Sequence, residues 1–172
     1  MIRKAAPADI AAICAAYSEL FAHERIYGST CHWVEGVYPT EEVAKNAVRQ
    51  GSMFVLEEAG AVCGSMILNQ SQAPEYAGID WKIPAAPEEV LVIHTLCIPP
   101  SKAGRGYATQ MLKFAMEFGR NLGCRCIRMD TYAGNEPAKK LYLNNGFFIS
   151  GRSEMLLSGV LREELVCLER PL

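Results

Sequence analysis

The hydrophobic and polar positions of this chain follow two periods, one typical of helices and one typical of strands. Near the N-terminus, Ile2 to Ala5 can form an edge strand. Apolar residues between Ile10 and Leu20 then recur at helical spacing, which predicts a helix with one buried stripe, and Pro7 suits its first turn. The aromatic segment from Phe21 to Pro39 lacks this period, so we expect it to be irregular.

A second helix and a hairpin are predicted next. The Thr40 hydroxyl can cap the helix, and Gly51 can end it. Two apolar runs, Met53 to Leu56 and Val62 to Leu68, flank the sequence Glu58-Ala59-Gly60-Ala61. Apolar runs separated by such a short turn are typical of an antiparallel hairpin in a sheet core.

The second half of the chain alternates between strand and helix patterns. After a polar link with three prolines, the run from Val90 to Ile98 is almost wholly apolar, as expected for a strand covered on both faces. An amphipathic helix ending at Gly123 follows, then a strand from Cys126 to Met129 and a helix from Asn135 to Gly146. The closing strands are predicted at Phe147 to Ile149, Met155 to Leu157 and Leu165 to Leu168. This order predicts a mixed α/β fold.

Length and charge narrow the class of protein. The 172 residues fit one domain, 1–172, with a full core. The net charge is 17 − 19 = −2 without a basic cluster, so a nucleic-acid partner is not expected. No apolar stretch approaches the ~20 residues of a membrane span, and no cleavage signal follows Met1, so we expect a cytoplasmic protein without a membrane partner.

Cysteines and histidines give no sign of a metal site. The seven cysteines are odd in number and contain no Cys-x-x-Cys pair, which is typical of reduced thiols in a reducing compartment. His23, His32 and His94 lack the spacing of a helical zinc pair. No Gly-x-Ser-x-Gly elbow is present either, so an acyl-enzyme intermediate is not favoured.

The turn between Ile98 and the following helix predicts a phosphate-binding loop. Its sequence is Ala103-Gly104-Arg105-Gly106-Tyr107-Ala108, and the helix after it directs unpaired N–H groups and a positive dipole end to the same place. A nucleotide-hydrolysing loop would have Lys-Ser/Thr where Tyr107-Ala108 stand. A dinucleotide site, which would need a glycine where Thr109 stands, is a weaker alternative, and a plain tight turn is another.

This turn, with the strand end before it, resembles motif A of the GCN5-related N-acetyltransferases (GNAT), usually Gln/Arg-x-x-Gly-x-Gly/Ala. Ala103 stands in the first place of that pattern, which removes a polar side chain and leaves the backbone cradle intact. A second segment, Asn135 to Phe147, resembles the family signature Asn-x-x-Ala-x-x-x-Tyr-x-x-x-Gly-Phe at every defining place. Two signatures in order are more specific than a glycine loop alone, and the resemblance covers nearly the whole chain.

The resemblance implies a fold and a cofactor. The GNAT fold is a mixed, mostly antiparallel sheet, splayed at the cofactor site, with helices on both faces. Family members bind acetyl-CoA by its pyrophosphate at the turn and by its pantetheine arm along the preceding strand. The cofactor-binding residues implied here are Leu96, Cys97, Ile98, Ala103, Gly104, Arg105, Gly106, Tyr107, Ala108, Asn135 and Tyr142.

Two side chains are the candidates for proton transfer. In the family, the tyrosine of the second signature, here Tyr142, commonly protonates the leaving thiolate, and a phenol stays protonated at neutral pH. Some members carry a histidine in the strand, which makes His94 the candidate base. The alternatives are a packing role for Tyr142, a capping role for Asn135 and a hydrogen-bonded core position for His94.

The acceptor site is less defined than the cofactor site. Trp33, Tyr38, Asp80 and Trp81 are the candidate pocket residues, with Asp80 ranked first among carboxylates because Trp81 adjoins it. Aromatic residues of this kind also commonly pack in the core or cover a pocket.

The resemblance implies an acetyl-CoA-dependent N-acetyltransferase that moves an acetyl group from the thioester directly to a primary amine of a small molecule or a peptide. Transfer of another short acyl group and a non-catalytic acyl-CoA-binding sensor are the alternatives. A homodimer is a family-level expectation.

Overall fold

A computed structural model of the protein describes residues 1–157 and 161–172. Its strands and helices, in chain order, are β1 (Ile2–Lys4), α1 (Ile10–Tyr27), α2 (Glu41–Arg49), β2 (Met53–Glu58), β3 (Ala61–Asn69), β4 (Val90–Cys97), α3 (Tyr107–Asn121), β5 (Cys126–Tyr132), α4 (Glu136–Asn144), β6 (Phe148–Leu157) and β7 (Leu161–Pro171). The strands form one seven-stranded sheet in the order β1-β2-β3-β4-β5-β7-β6. The pair β4–β5 is parallel, whereas β1–β2, β2–β3, β5–β7 and β6–β7 are antiparallel, so the predicted mixed, mostly antiparallel sheet is confirmed.

The chain forms two compact units. The first unit comprises Met1–Ser29, Trp33–Leu68 and His94–Phe114, and the second comprises Thr30–His32, Asn69–Ile93 and Ala115–Leu172. The chain passes from one unit to the other within β4 and within α3. The assignment of 1–172 to a single domain stays a prediction.

In the first unit, helices cover both faces of the sheet. Successive residues of a strand face opposite sides, and β2 shows this directly. Val55 packs in a buried cluster with residues of α1 and α2, whereas the Phe54 ring lies 5.4 Å from the Phe114 ring of α3. The cluster contains Ile13, Ala16, Tyr17, Phe21, Ala44, Ala47, Met53, Val55, Ile67 and Cys97.

In the second unit, the link between β3 and β4 covers one face of the sheet. It contains two 3-10 turns, Pro74–Gly78 and Pro87–Glu89. Tyr76 and Ile79 pack on Val90 and other inward residues of the sheet, so the link contributes core despite its polar composition. The ladder between β4 and β5 pairs Val90 with Cys126, Leu91 with Ile127 and Val92 with Arg128.

A buried carboxylate holds this link in place. Glu169 of β7 is fully buried and accepts hydrogen bonds from the backbone N–H groups of Lys82 and Ile83 and from the Ser150 hydroxyl, the last at 2.6 Å. Arg128 lies 3.9 Å away through its Nε atom. These partners satisfy a charge that would otherwise be costly to bury.

Several sequence predictions about local structure are confirmed. The Thr40 hydroxyl accepts a hydrogen bond from the Val43 N–H at 3.3 Å and caps α2. The β2–β3 turn places Ala59 and Gly60 at φ values of 49° and 77°, as a tight hairpin requires. Gly123, just past α3, has a φ of 79°.

Three local predictions are corrected. Helix α1 continues to Tyr27 instead of giving way to an irregular segment at Phe21, because Phe21 and Glu24 are buried and extend its packed face. Pro7 begins a separate 3-10 turn, Pro7–Asp9, and not α1 itself. The short strands predicted before Leu157 form one continuous strand, β6, because pairing with β7 supports its polar middle section, with a register shift between Ile149 and Gly151.

Candidate active site

The candidate phosphate loop lies in the first unit, between β4 and α3. Pro100–Lys102 forms a 3-10 turn, and Gly104 and Gly106 follow with φ values of 74° and 75°. The Gly106 carbonyl accepts a hydrogen bond from the Gln110 N–H at 3.1 Å, so Gly106 caps α3. The first N–H groups of the helix have no partner within it and are the donors that an anion would use.

The loop fits the pyrophosphate of an acyl-CoA. A Cβ atom built at either glycine would meet nothing within 4 Å, so the glycines are required by their positive φ values and not by crowding. Open space beside an exposed backbone gives an anion access to the N–H groups. Arg105, exposed within the loop, supplies positive charge of the sign that a pyrophosphate needs.

The side chain of Tyr107, which the resemblance implies as a cofactor-binding residue, has a partner within the protein. It is buried, and its hydroxyl donates a hydrogen bond to the Glu58 carboxylate at the end of β2. This hydrogen bond raises the pKa of Tyr107 above its usual value. The side chain therefore fixes the start of α3, and its backbone N–H is the group available to an anion.

The C-terminal half of β4 contains an irregularity that brings aromatic residues to the strand. Thr95 has a φ of 51°, which is unusual for a β-branched residue, and its hydroxyl shares a hydrogen bond with the Tyr38 hydroxyl. The Trp33 ring meets the Tyr38 ring edge-on at 6.0 Å. Two predicted pocket residues thus lie together beside the strand that contains half-buried His94.

Cys97, at the end of β4, lies in surroundings that disfavour its reactive thiolate form. It is buried, and burial raises the pKa of its thiol to about 12. The reactive form of cysteine is the thiolate, which this environment disfavours.

The second signature lies in the second unit. The Asn135 Oδ1 atom accepts a hydrogen bond from the Ala138 N–H at 3.2 Å, so the predicted capping role is confirmed. Two turns later, Tyr142 is buried and packs against Phe147 with ring centroids 6.1 Å apart. Burial, and then the nearby Asp130 charge, raise the pKa of Tyr142 above its usual value, which keeps the phenol protonated.

Asp130 is a half-buried acid that no sequence motif indicated. Its carboxylate accepts a hydrogen bond from the Tyr76 hydroxyl at 2.6 Å. Burial raises the pKa of Asp130; the Tyr76 hydrogen bond opposes this change and the Glu75 charge adds to it. The partners are 54 positions apart, so only the folded chain brings them together.

The change Asp130→Asn is expected to stabilise the protein at neutral pH. An amide oxygen still accepts from Tyr76, and no charge occupies this half-buried position. Because the pKa of Asp130 is raised on folding, ionisation lowers the stability of the native protein as the pH rises above the usual value of 3.8. We expect a gain of about 1 kcal/mol, or about 2–4 °C in Tm, at neutral pH and no gain below the usual carboxyl range.

Thermal unfolding across pH checks this prediction, with Asp80→Asn as the matched control because Asp80 is exposed. An equal gain at acid and neutral pH would contradict the electrostatic explanation.

The other two predicted pocket residues lie in the second unit and already have partners. Asp80 is exposed and forms an ion pair with Lys82. Trp81 donates through Nε1 to the Tyr76 carbonyl at 2.9 Å, and the Arg128 guanidinium lies 4.4 Å from its ring centroid. These contacts favour a packing role for Trp81, and the pocket role of both residues stays a prediction.

Metal and membrane signals are absent from the part of the chain that the structure describes. No group of three or more His, Cys, Asp or Glu side chains there could hold a metal ion. All seven cysteines are free thiols. Among the described helices, none combines the length and the apolar character needed to cross a membrane.

Comparison with known proteins gives the family. The model of the acetyltransferase (GNAT) family matches residues 16–147, a range that includes both signatures. The chain therefore belongs to the GNAT acetyltransferase family. No curated protein matches the sequence significantly.

Solved structures agree with the fold. A GNAT-family acetyltransferase from Streptococcus agalactiae 2603 has a TM-score of 0.84 at 20% identity, covering 100% of this chain and 95% of that one. A ribosomal-protein-alanine N-acetyltransferase from Brucella melitensis has a TM-score of 0.73 at 20% identity, with 100% and 99% covered. YncA from Salmonella typhimurium, solved with its cofactor acetyl-CoA, has a TM-score of 0.67 at 17% identity, with 99% and 92% covered.

Proposed function

We propose that this GNAT protein transfers an acetyl group from acetyl-CoA directly to a primary amine of a small molecule or a peptide. The proposal rests on the geometry of the loop between β4 and α3, in a chain that the GNAT family model matches. Gly104 and Gly106 adopt positive φ values immediately before the N-terminus of α3, and the space beside them is open. Acetyl-CoA would supply the activated acetyl group at this site.

The chain's own residues would bind the cofactor and move two protons. Backbone N–H groups of residues 104–108 and the charge of Arg105 would bind the pyrophosphate. The amide donors of Asn135 remain available to a ligand because its cap uses the side-chain oxygen. Tyr142, kept protonated by its raised pKa, would return a proton to the leaving sulfur.

The loop proposal predicts a selective loss of cofactor binding in Gly106→Ala. Alanine at a φ of 75° is strained by about 1–2 kcal/mol, and relief of that strain would turn the N–H groups away from the anion. Gly36→Ala is the matched control, because Gly36 has a φ of 78° and the same open surroundings. Both variants should lose similar stability, but only Gly106→Ala should lose affinity for acetyl-CoA, by about tenfold or more.

Thermal unfolding with acetyl-CoA, ATP and NAD tests binding first. Acetyl-CoA at about 100 times its dissociation constant should add about 2.7 kcal/mol, or roughly 5–10 °C in Tm, to the wild-type protein. Thiol release with L-alanine, putrescine and trialanine then tests transfer to three kinds of amine. Stabilisation without thiol release from any amine would favour the sensor alternative, and the absence of stabilisation would contradict the proposal.

A further inference from the structure

A histidine outside both signatures forms a catalytic-type pair within the second unit. The Nδ1 atom of His32 lies 3.0 Å from the Oε1 atom of Glu163 on β7. The Glu163 side chain is 3% exposed, whereas the His32 side chain is 42% exposed. A buried carboxylate thus holds one edge of a partly exposed imidazole. This orientation by a carboxylate is what a histidine base requires.

The imidazole is also fixed from the side. Its ring stacks on the Tyr132 ring at 4.3 Å with an interplanar angle of 12°. The Tyr132 ring in turn lies against Gly134, where an added Cβ would come within 2.5 Å of it. His32 has a φ of 63°, an uncommon conformation for a residue other than glycine, so the fold maintains this placement at a cost in backbone strain.

The His32–Glu163 pair and Tyr142, the proposed acid, are influenced by the same charged residue. The Asp130 charge acts on both Glu163 and Tyr142. Burial raises the pKa of Glu163, the His32 contacts lower it, and Asp130 raises it further. The titratable side chains that contact the His32 ring include Glu163 from β7 and Tyr132 from β5.

We propose that His32, oriented by Glu163 and Tyr132, accepts the proton of the acceptor ammonium group; this inference rests on the proposed function. One proton of the R–NH3⁺ group passes to the His32 imidazole and then to water. The amine nitrogen forms a bond to the acetyl carbon while the C–S bond breaks. Tyr142 donates a proton to the sulfur, and the second proton of the amine nitrogen then restores the Tyr142 hydroxyl. The products are the amide, the CoA thiol and one released proton.

The proposal also names the acceptor class. Glu163 at the His32 ring and Asp130, whose charge acts on Glu163, are both acidic, so a cationic primary amine is favoured over an acceptor with a carboxylate next to the amine. Putrescine should therefore be a better acceptor than L-alanine. Glu163 is a positioning residue in this scheme, because it acts through His32.

The change His32→Gln tests the role of the imidazole. Glutamine can still hydrogen-bond to Glu163 but cannot accept a proton. If the role of His32 were only structural, activity would therefore survive the change. We expect kcat with putrescine to fall by about 100-fold or more, while the stabilisation by acetyl-CoA is unchanged. Glu163→Gln should lower kcat by about tenfold. His23→Gln is the matched control, because His23 is an exposed histidine of α1.

The pH profile separates proton transfer from structure. An imidazole changes its charge near neutral pH, so the acidic limb of the wild-type kcat/KM profile should be lost in His32→Gln. A retained limb with kcat within about threefold of wild type would overturn the role of His32 while the acetyltransferase function stands. His94→Gln losing the limb instead would assign the base to His94. No thiol release by the wild-type protein with any amine would overturn the proposed function and this inference together.

Discussion

The change Tyr142→Phe is expected to lower the turnover of acetyl-CoA and an amine by about 100-fold without weakening cofactor binding. Phenylalanine preserves the ring that packs against Phe147 and removes only the hydroxyl. General acids contribute about 10²–10⁴ in rate. We place Tyr142 at the lower end of that range because burial makes its phenol a weaker acid than an exposed tyrosine.

The measurement is thiol release at saturating acetyl-CoA, with thermal stabilisation by acetyl-CoA measured on the same samples. Tyr27→Phe is the matched control, since Tyr27 is 74% exposed. A kcat within about threefold of wild type would mean that the sulfur leaves as a thiolate and that Tyr142 only packs. A loss of both stabilisation and turnover would instead indicate a binding role.

The local features of this fold could be predicted because their causes lie within a few residues. The Thr40 cap, the Ala59-Gly60 hairpin and the Gly104–Gly106 turn each depend on one backbone preference that the sequence states directly. The end of α1 could not be predicted in this way. Burial of Phe21 and Glu24 supports its last turns, and burial is a property of the whole fold.

In the candidate site, too, only the features with local causes could be predicted. Its candidate phosphate loop and the Asn135 cap follow from contiguous motifs. The contacts of His32 with Glu163 and of Asp130 with Tyr76 join residues 131 and 54 positions apart, so no local pattern indicates them. Thr95 is a third case, because a threonine in an apolar run predicts a regular strand and not a φ of 51°.

Gly64 is expected to be a position where a single added side chain costs much stability. It lies on β3, and an added Cβ would come 2.4 Å from Ile98 Cδ1, 3.0 Å from Met111 Sδ and 3.3 Å from the Cys97 carbonyl oxygen. Strand propensity would favour valine over glycine by at most about 1 kcal/mol. The overlap opposes this gain and is larger, because the Cys97 oxygen belongs to the backbone and cannot rotate away.

We expect Gly64→Val to lower the free energy of unfolding by about 3 kcal/mol or more, measured by urea denaturation. Gly64→Ala should cost less, about 1–2 kcal/mol, because the far end of the Ile98 side chain can move. Gly78→Ala is the matched control, since its added Cβ meets nothing within 4 Å, and it should change stability by less than about 0.5 kcal/mol.

The alanine variant also connects this packing to the proposed chemistry. Cys97 and Ile98 are two of the three residues predicted to contact the thioester and the pantetheine arm. If Gly64→Ala stays folded while Ile98 shifts, this variant should therefore bind acetyl-CoA more weakly than Gly78→Ala does. Equal affinity in both alanine variants would mean that the Ile98 side chain moves without displacing the backbone of the strand end. Cofactor binding at that end would then depend on backbone groups alone.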